Sequence, residues 1–180
     1  TYAGELVSLV DIQPSSINIK SIVHSLHNQC RFNGHTKSFF SVAQHTLLVH
    51  QILLAHTNSS EIILFGLLHD ASEAYLSDIP APLKAILPDY QSVERHVQEA
   101  IEKKFIGRVK TQAEQRLVDI ADNISFQIEA TQLMDTSKWS GYTFNYELIS
   151  NWLGVYHEIA NMKKDGIKRL LHSYIDEYSK

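Results

Sequence analysis

Apolar residues recur at helical spacing along most of this chain, which has only four prolines and seven glycines in 180 residues. No alternating strand pattern persists, so the periodicity predicts helices at 19–27, 39–56, 60–76, 89–105, 112–134, 145–161 and 166–178. Segments 28–38, 77–87 and 135–143 are expected to be structured loops. Thr111 and Glu114 have capping-box spacing, and Asp89 is expected to cap its helix. We expect one all-α globular domain, a helical bundle, over residues 1–180.

Composition and charge exclude several classes of protein. A hydrophobic content of 44% suffices for a buried core without disulfides. Sixteen Lys and Arg against 20 Asp and Glu leave a net charge of −4 with no dense basic run, which argues against binding to a nucleic-acid duplex. The longest apolar stretch, 62–68, is too short to span a membrane. The single cysteine, Cys30, fits a reducing compartment, so we expect a cytoplasmic protein.

Ionisable side chains interrupt the apolar faces of three predicted helices. His45 lies on the inward face of the second, His69 and Glu73 continue the apolar stripe of the third, and Asp122 and Glu129 lie on the inward face of the fifth. Each alone can be explained as a hydrogen-bonded or ion-paired core residue. Burying an unpaired carboxylate is costly, and three helices that each turn such a residue inward predict a metal or cofactor site between helices.

His45, the pair His69-Asp70 and the later Asp122 resemble the H…HD…D signature of the HD-domain metal-dependent phosphohydrolases. Three longer blocks also resemble that family: QCRFNGHTKSFFSVAQHTLLV (29–49), GLLHDASEAYLSDIPAPLK (66–84) and DIADNISFQIEATQLM (119–134). The resemblance extends from about residue 17 to 139, and the family includes bacterial 5′-deoxynucleotidases and phage-type dATP triphosphohydrolases. It implies an HD-domain helical bundle that holds a metal between helices through these four residues.

Two imidazoles and two carboxylates form a ligand set without thiolate. Such a set suits Mn, Fe, Co, Ni or Zn, and the ligand types do not choose among these ions. An ion with open coordination positions can lower the pKa of a bound water. A two-histidine, one-carboxylate oxygenase site is an alternative, but it leaves the second carboxylate and the surrounding motif unexplained.

Other residues of the matching blocks are expected to act on the substrate. By resemblance, Glu73 and Asp78 assist proton transfer or hold a second divalent cation, whereas the structural alternative is a solvated helix end and an N-cap. Arg31 and Lys84 are the candidates for binding phosphate oxygens, since guanidinium and ammonium groups pair with them; either could instead be a surface charge.

The loop that carries Arg31 continues with further candidates for substrate binding. Phe32 and Gly34 are expected to shape a base or sugar pocket, and His35 either touches phosphate or holds the loop. Trp139 lies in the third predicted loop, and His50 is expected on the surface among polar helix positions.

The resemblance implies hydrolysis of deoxynucleotides at the α-phosphate, in a bacterial or phage-infected cell. The first expectation is a dNTP triphosphohydrolase with a preference for dATP, which releases triphosphate and a deoxynucleoside. A 5′-deoxynucleoside monophosphatase is the alternative on the same scaffold, and a non-catalytic nucleotide sensor is an alternative of another class. A purely structural helical domain would leave the inward carboxylates unpaired. The last predicted helix could pack on its own core or on a second copy, so a homo-oligomer is a further expectation.

Overall fold

Nine α-helices and two 3-10 turns make up the regular structure of the chain, whose computed structural model describes residues 1–179. The helices are α1 (Ile19–Asn28), α2 (Val42–His56), α3 (Ser60–Leu67), α4 (Glu73–Leu76), α5 (Ala81–Lys84), α6 (Pro88–Phe105), α7 (Gln112–Leu133), α8 (Tyr146–Ala160) and α9 (Lys164–Tyr178). The 3-10 turns are Pro14–Ser16 and Arg31–Gly34. Within the described residues no strand forms, which confirms the all-α prediction and is compatible with a helical bundle.

Helix α2 occupies the centre of the fold. It contacts α1, α3, α7, α8 and α9, and most of its side chains are buried on every face. A capping box between Ser41 and Gln44 starts it at Val42, three residues after the predicted beginning. Because residues 42–50 of this central helix are buried on every face, their polar side chains are buried with the apolar ones. The expectation that His50 lies on the surface is therefore wrong: it is 1% exposed and packs on the ring of Tyr174.

The predicted helix at 60–76 is broken into two pieces, α3 and α4. Gln98 of α6 holds the intervening turn, because its Nε2 donates to the carbonyl of Leu68 (2.8 Å) and its Oε1 accepts from the backbone N–H of Ser72 (3.2 Å). A side chain distant in sequence thus satisfies the backbone groups that the break releases. The turn matters for the site, because successive residues of a regular helix point about 100° apart. His69 and Asp70, which lie in the turn, face the same point.

The remaining elements differ from prediction only in detail. The predicted loop at 77–87 contains the short helix α5, and α6 starts at Pro88 after Leu87, so Asp89 lies inside the first turn and is not the cap. The capping box of Thr111 and Glu114 at the start of α7 is confirmed. The apolar face of α9 packs on α1, α2 and α3 of the same chain. Over residues 1–179, no helix has the length and hydropathy needed to cross a bilayer.

Candidate metal centre

Three sequence-predicted ligands meet where α2 faces the turn after α3. The Nε2 atom of His45 lies 3.1 Å from Nε2 of His69 and 3.4 Å from Oδ2 of Asp70, and His69 Nε2 lies 3.1 Å from the same oxygen. Atoms that bind one ion at about 2.1 Å are separated by roughly 3.0 Å in octahedral and roughly 3.4 Å in tetrahedral geometry. The observed separations match these values, so His45, His69 and Asp70 form a group that can hold a metal ion.

Asp122 reaches the same group from α7. Its Oδ1 lies 3.2 Å from His45 Nε2, and its side chain is 46% exposed, which leaves the group open on one side. Burial and Arg31 lower the pKa of His45, yet Glu129, Asp122 and Asp70 raise it well above its ordinary value. Carboxylates that stabilise a proton on a buried imidazole also attract a cation. The donor types and the local charge therefore fit a divalent ion.

The other ring nitrogens of both histidines are fixed by acceptors. His45 Nδ1 lies 2.7 Å from Glu129 Oε1, and His69 Nδ1 lies 2.7 Å from the carbonyl of Gly66. Because an ionised carboxylate and a carbonyl only accept, both Nδ1 atoms carry a proton, and the Nε2 atoms are the ones that face the group and can bind an ion in place of a proton. Outer partners of this kind orient the histidine ligands of metal sites.

Glu129 contacts both His45 and Arg31, although the sequence predicted no role for it. It is fully buried, and the hydroxyl of Ser125 donates to its Oε1 at 2.8 Å. The signal was present in the spacing, since Asp122, Ser125 and Glu129 follow one another at three and four residues and therefore share one face of α7.

Arg31 connects this buried carboxylate with the open cavity. Its Nε donates to Glu129 Oε2 at 3.0 Å, and one terminal nitrogen lies 3.7 Å from Asp78 Oδ2. The turn that follows has left-handed backbone angles at Phe32 (φ 53°) and Asn33 (φ 52°), a conformation that non-glycine residues rarely adopt. Such strain is retained where surrounding contacts over-determine it, often at functional sites.

Glu73 and Asp78 lie on the cavity side of the group. Glu73 is buried, and its Oε2 has no hydrogen-bond partner in the described part of the chain. Burial, then Asp70 and Asp78, raise the pKa of Glu73 well above its ordinary value, which favours its protonated form. Burial also raises the pKa of Asp78, although Arg31 opposes the shift.

A cavity of about 740 Å³ brings most of the predicted substrate residues together. Its lining includes Arg31, Phe32, Glu73, Asp78 and Lys84 beside Asp70 and Asp122. Its lining also includes aromatic side chains from α7 and from the loop that follows it. Gly34 and His35 lie on the exposed side of their turn, outside this lining.

A second cavity, of about 480 Å³, also adjoins the ligand group, and it shares Asp70, Lys84, Asp119 and Asp122 with the first. Three cationic side chains, Lys84, Arg95 and Lys110, line it, and both lysines are already paired. The ammonium of Lys84 lies 2.6 Å from Glu94, and that of Lys110 pairs with buried Glu102. Glu99 adds a further negative charge, and Arg95 a positive one. The second cavity is therefore acidic in balance.

Fold and site together define an all-helical protein with a histidine–aspartate group that can hold a metal ion. No family model matches the chain. The chain is 33% identical over 143 residues to the uncharacterized protein RCAP_rcc00048 of Rhodobacter capsulatus. The match covers 76% of this chain and 72% of that protein, so the chain belongs to the family of that protein. It is also 42% identical over 105 residues to the uncharacterized protein YfdR of Escherichia coli K12, across 58% of this chain. The match spans 56% of the length of YfdR.

Proposed function

We propose that this chain is a metal-dependent phosphohydrolase that cleaves the 5′-phosphate ester of deoxynucleotides. The observation that carries the proposal is the histidine–aspartate group beside a cavity that also contains the guanidinium of Arg31 and the buried carboxyl of Glu73, whose pKa is raised. The resemblance to HD-domain phosphohydrolases supports it. Mn, Fe, Co, Ni and Zn suit the donor atoms. A divalent ion supplies such a site with polarisation of a phosphoryl oxygen and a lower pKa of water.

Side chains of the protein hold the ion and bind the phosphate. His45, His69, Asp70 and Asp122 hold the ion. Arg31 binds the phosphoryl oxygens: its Nε is engaged by Glu129, which fixes the plane of the guanidinium and leaves its terminal nitrogens for substrate.

Glu73 is the proton donor in this proposal. As water oxygen bonds to phosphorus, the P–O5′ bond breaks, and the carboxyl of Glu73 gives its proton to the departing O5′. A proton from the attacking water restores the carboxyl. A raised pKa suits this acid role, because the group must be protonated near neutral pH. A protonated Glu73 and an Asp78 beside Arg31 are poor ligands for a second cation, so we assign both to proton transfer and substrate positioning.

The two candidate substrates are the deoxynucleoside triphosphate and the deoxynucleoside monophosphate. The second cavity offers room for further phosphates next to Asp70 and Asp122, which favours the triphosphate. Its charges oppose this, because Lys84 and Lys110 are paired with carboxylates, and the remaining cation, Arg95, faces a larger number of acidic side chains. Several added negative charges need free cations near them. The charges favour the monophosphate as substrate, and the dATP preference of the triphosphate alternative has no support in a base contact.

The test incubates the protein and each of Mn²⁺, Co²⁺ and Zn²⁺ with the four dNTPs, the four dNMPs and ATP, and separates the products by ion exchange. Asp70→Asn removes a ligand, and Asp176→Asn, an exposed aspartate on α9, is the matched control. We expect orthophosphate from dNMPs, lost only in Asp70→Asn. Triphosphate release from dNTPs establishes the triphosphohydrolase instead. Binding of nucleotides without turnover under all conditions refutes the hydrolase and favours a sensor.

A further inference from the structure

Three aromatic side chains, Phe126, Trp139 and Tyr142, form one side of the larger cavity; we call them the aromatic wall. The rings of Phe126 and Trp139 are nearly parallel, at 25° with centroids 6.4 Å apart. Tyr142 meets both edge-on, at 5.6 Å from Phe126 and 6.0 Å from Trp139. Phe32 of the Arg31 turn lies 5.9 Å from Phe126 and extends the wall toward the phosphate end.

The wall is held against the cavity and is not folded into the core. The loop that carries Trp139 and Tyr142 is anchored at both ends. The backbone N–H of Lys37 donates to the carbonyl of Leu133 at 2.8 Å, and that of Asn145 donates to Gln127 Oε1 at 2.9 Å. Tyr142 nevertheless remains 42% exposed, and the Phe126 and Trp139 side chains are only partly buried. Exposed apolar area lining a concave cavity is typical of a ligand site.

The wall is continuous with the candidate metal centre. Phe126 follows Asp122 by four residues on α7, so the two side chains share one helix face about 6 Å apart along the axis. This arrangement suits a molecule with an anionic group at one end and a flat ring at the other, joined by a sugar. The amides of Asn33 and Asn123 line the same cavity and can donate to and accept from the edge of such a ring.

We infer that the aromatic wall binds the nucleobase of the substrate by stacking. The wall thereby favours a nucleotide over the corresponding sugar phosphate, and it favours purine over pyrimidine nucleotides. The inference rests on the proposed function for the phosphate end and adds the recognition of the opposite end. Purines are favoured because a two-ring base covers more of the paired faces of Phe126 and Trp139 than a pyrimidine does. Stacking of a base on an aromatic side chain accounts for about 5- to 140-fold in affinity.

The first arm of the test compares Trp139→Ala with Trp139→Phe, which keeps a flat ring. Both are assayed with dAMP, dCMP and 2-deoxyribose 5-phosphate, after circular dichroism has shown that they fold. We expect Trp139→Ala to raise KM for dAMP at least fivefold, more than for dCMP, with kcat and the sugar phosphate unaffected, and Trp139→Phe to restore most of the loss. Tyr142→Ala is the substitute if Trp139→Ala does not fold. An equal loss on dAMP and the sugar phosphate, or no loss on either, overturns the inference.

The second arm does not depend on turnover. Deoxyadenosine, which has no phosphate, is titrated into the wild-type protein while tryptophan fluorescence is recorded, and Trp139→Phe shows the contribution of Trp152 alone. We expect saturable quenching that disappears in Trp139→Phe. Quenching without hydrolysis of any nucleotide retains the base site and refutes the proposed hydrolase. Hydrolysis with no quenching by deoxyadenosine retains the hydrolase and overturns the inference.

Discussion

Replacing Glu129 with glutamine removes a charge that two residues of the site share. One oxygen of Glu129 accepts from His45 Nδ1 at 2.7 Å, and the other accepts from Arg31 Nε at 3.0 Å. Burial raises the pKa of Glu129, but the nearby His45 and Arg31 lower it by more than this. The pKa of Glu129 therefore lies below its ordinary value, and the carboxylate is ionised in the folded protein. Glutamine keeps the shape and one acceptor oxygen but leaves the guanidinium without its buried counter-charge.

The size of the effect follows from burial. Glu129 is fully buried and the Arg31 side chain is only 12% exposed, and removal of one partner from a buried ion pair costs about 3–5 kcal/mol. Asp78 remains 3.7 Å from Arg31, which places the expected loss near the lower end, about 3 kcal/mol. For a chain of 180 residues this corresponds to a fall of about 6–12 °C in Tm. Loss of an outer partner of a histidine ligand also weakens metal binding by about 10- to 100-fold.

Thermal unfolding and calorimetric titration with Co²⁺ measure both effects. Glu158→Gln, an exposed glutamate on α8, is the matched control and should change neither value. If Glu129→Gln unfolds at the wild-type temperature and binds Co²⁺ as tightly as the wild type, the orientation of His45 by Glu129 is not what holds the ligand group together.

Three further predictions concern stability and catalysis. Burial lowers the pKa of His50 from 6.5 to about 4, so the stability gained from its neutral form is present above pH 6.5 and is lost as the pH falls toward 4. We expect protonation of this residue to reduce the free energy of unfolding by about 2 kcal/mol between pH 7.5 and 5. Measured by urea unfolding, His50→Phe should lack this part of the pH dependence. A pH dependence equal to that of the wild type would show that other groups cause it. Gly66→Ala places a methyl group 2.0 Å from Leu53 Cδ1 in the core and should destabilise by about 1–3 kcal/mol in thermal unfolding, whereas wild-type stability would mean that Leu53 repacks freely. Glu73→Gln should lower kcat by about 10²- to 10⁴-fold with little change in KM, and full activity would exclude Glu73 as the proton donor.

Most of the fold could be predicted from helical periodicity, because α1, α2, α6, α7, α8 and α9 each contain an apolar face and a recognisable end. The break between α3 and α4 could not. Residues 68–72 contain neither proline nor glycine, and the turn is held by Gln98, which lies far away in sequence. The burial of His50 was missed for a similar reason, since only the packing of α9 over α2 shows that His50 lies on a covered face.

The candidate ligands could be predicted because an ionisable residue on an apolar face needs a partner. His45, His69 and Asp122 were each recognisable in this way, whereas Asp70 was recognised only through the resemblance of the His69-Asp70 pair to the H…HD…D signature. The role of Glu129 could not be assigned, since a buried carboxylate serves equally as ligand, counter-ion or hydrogen-bond acceptor until its neighbours are known. Trp139 belongs to a loop, and loops carry no periodicity that could place its ring beside the site.

The most direct measurement is the release of orthophosphate from dAMP by chelator-treated protein as Mn²⁺ or Co²⁺ is added back. Wild-type protein should be inactive without the ion and should reach full activity as the ligand group fills, with Asp70→Asn inactive at every concentration and Asp176→Asn indistinguishable from wild type. Full activity after chelation, or activity of Asp70→Asn equal to that of the wild type, would contradict a metal-dependent reaction at His45, His69 and Asp70.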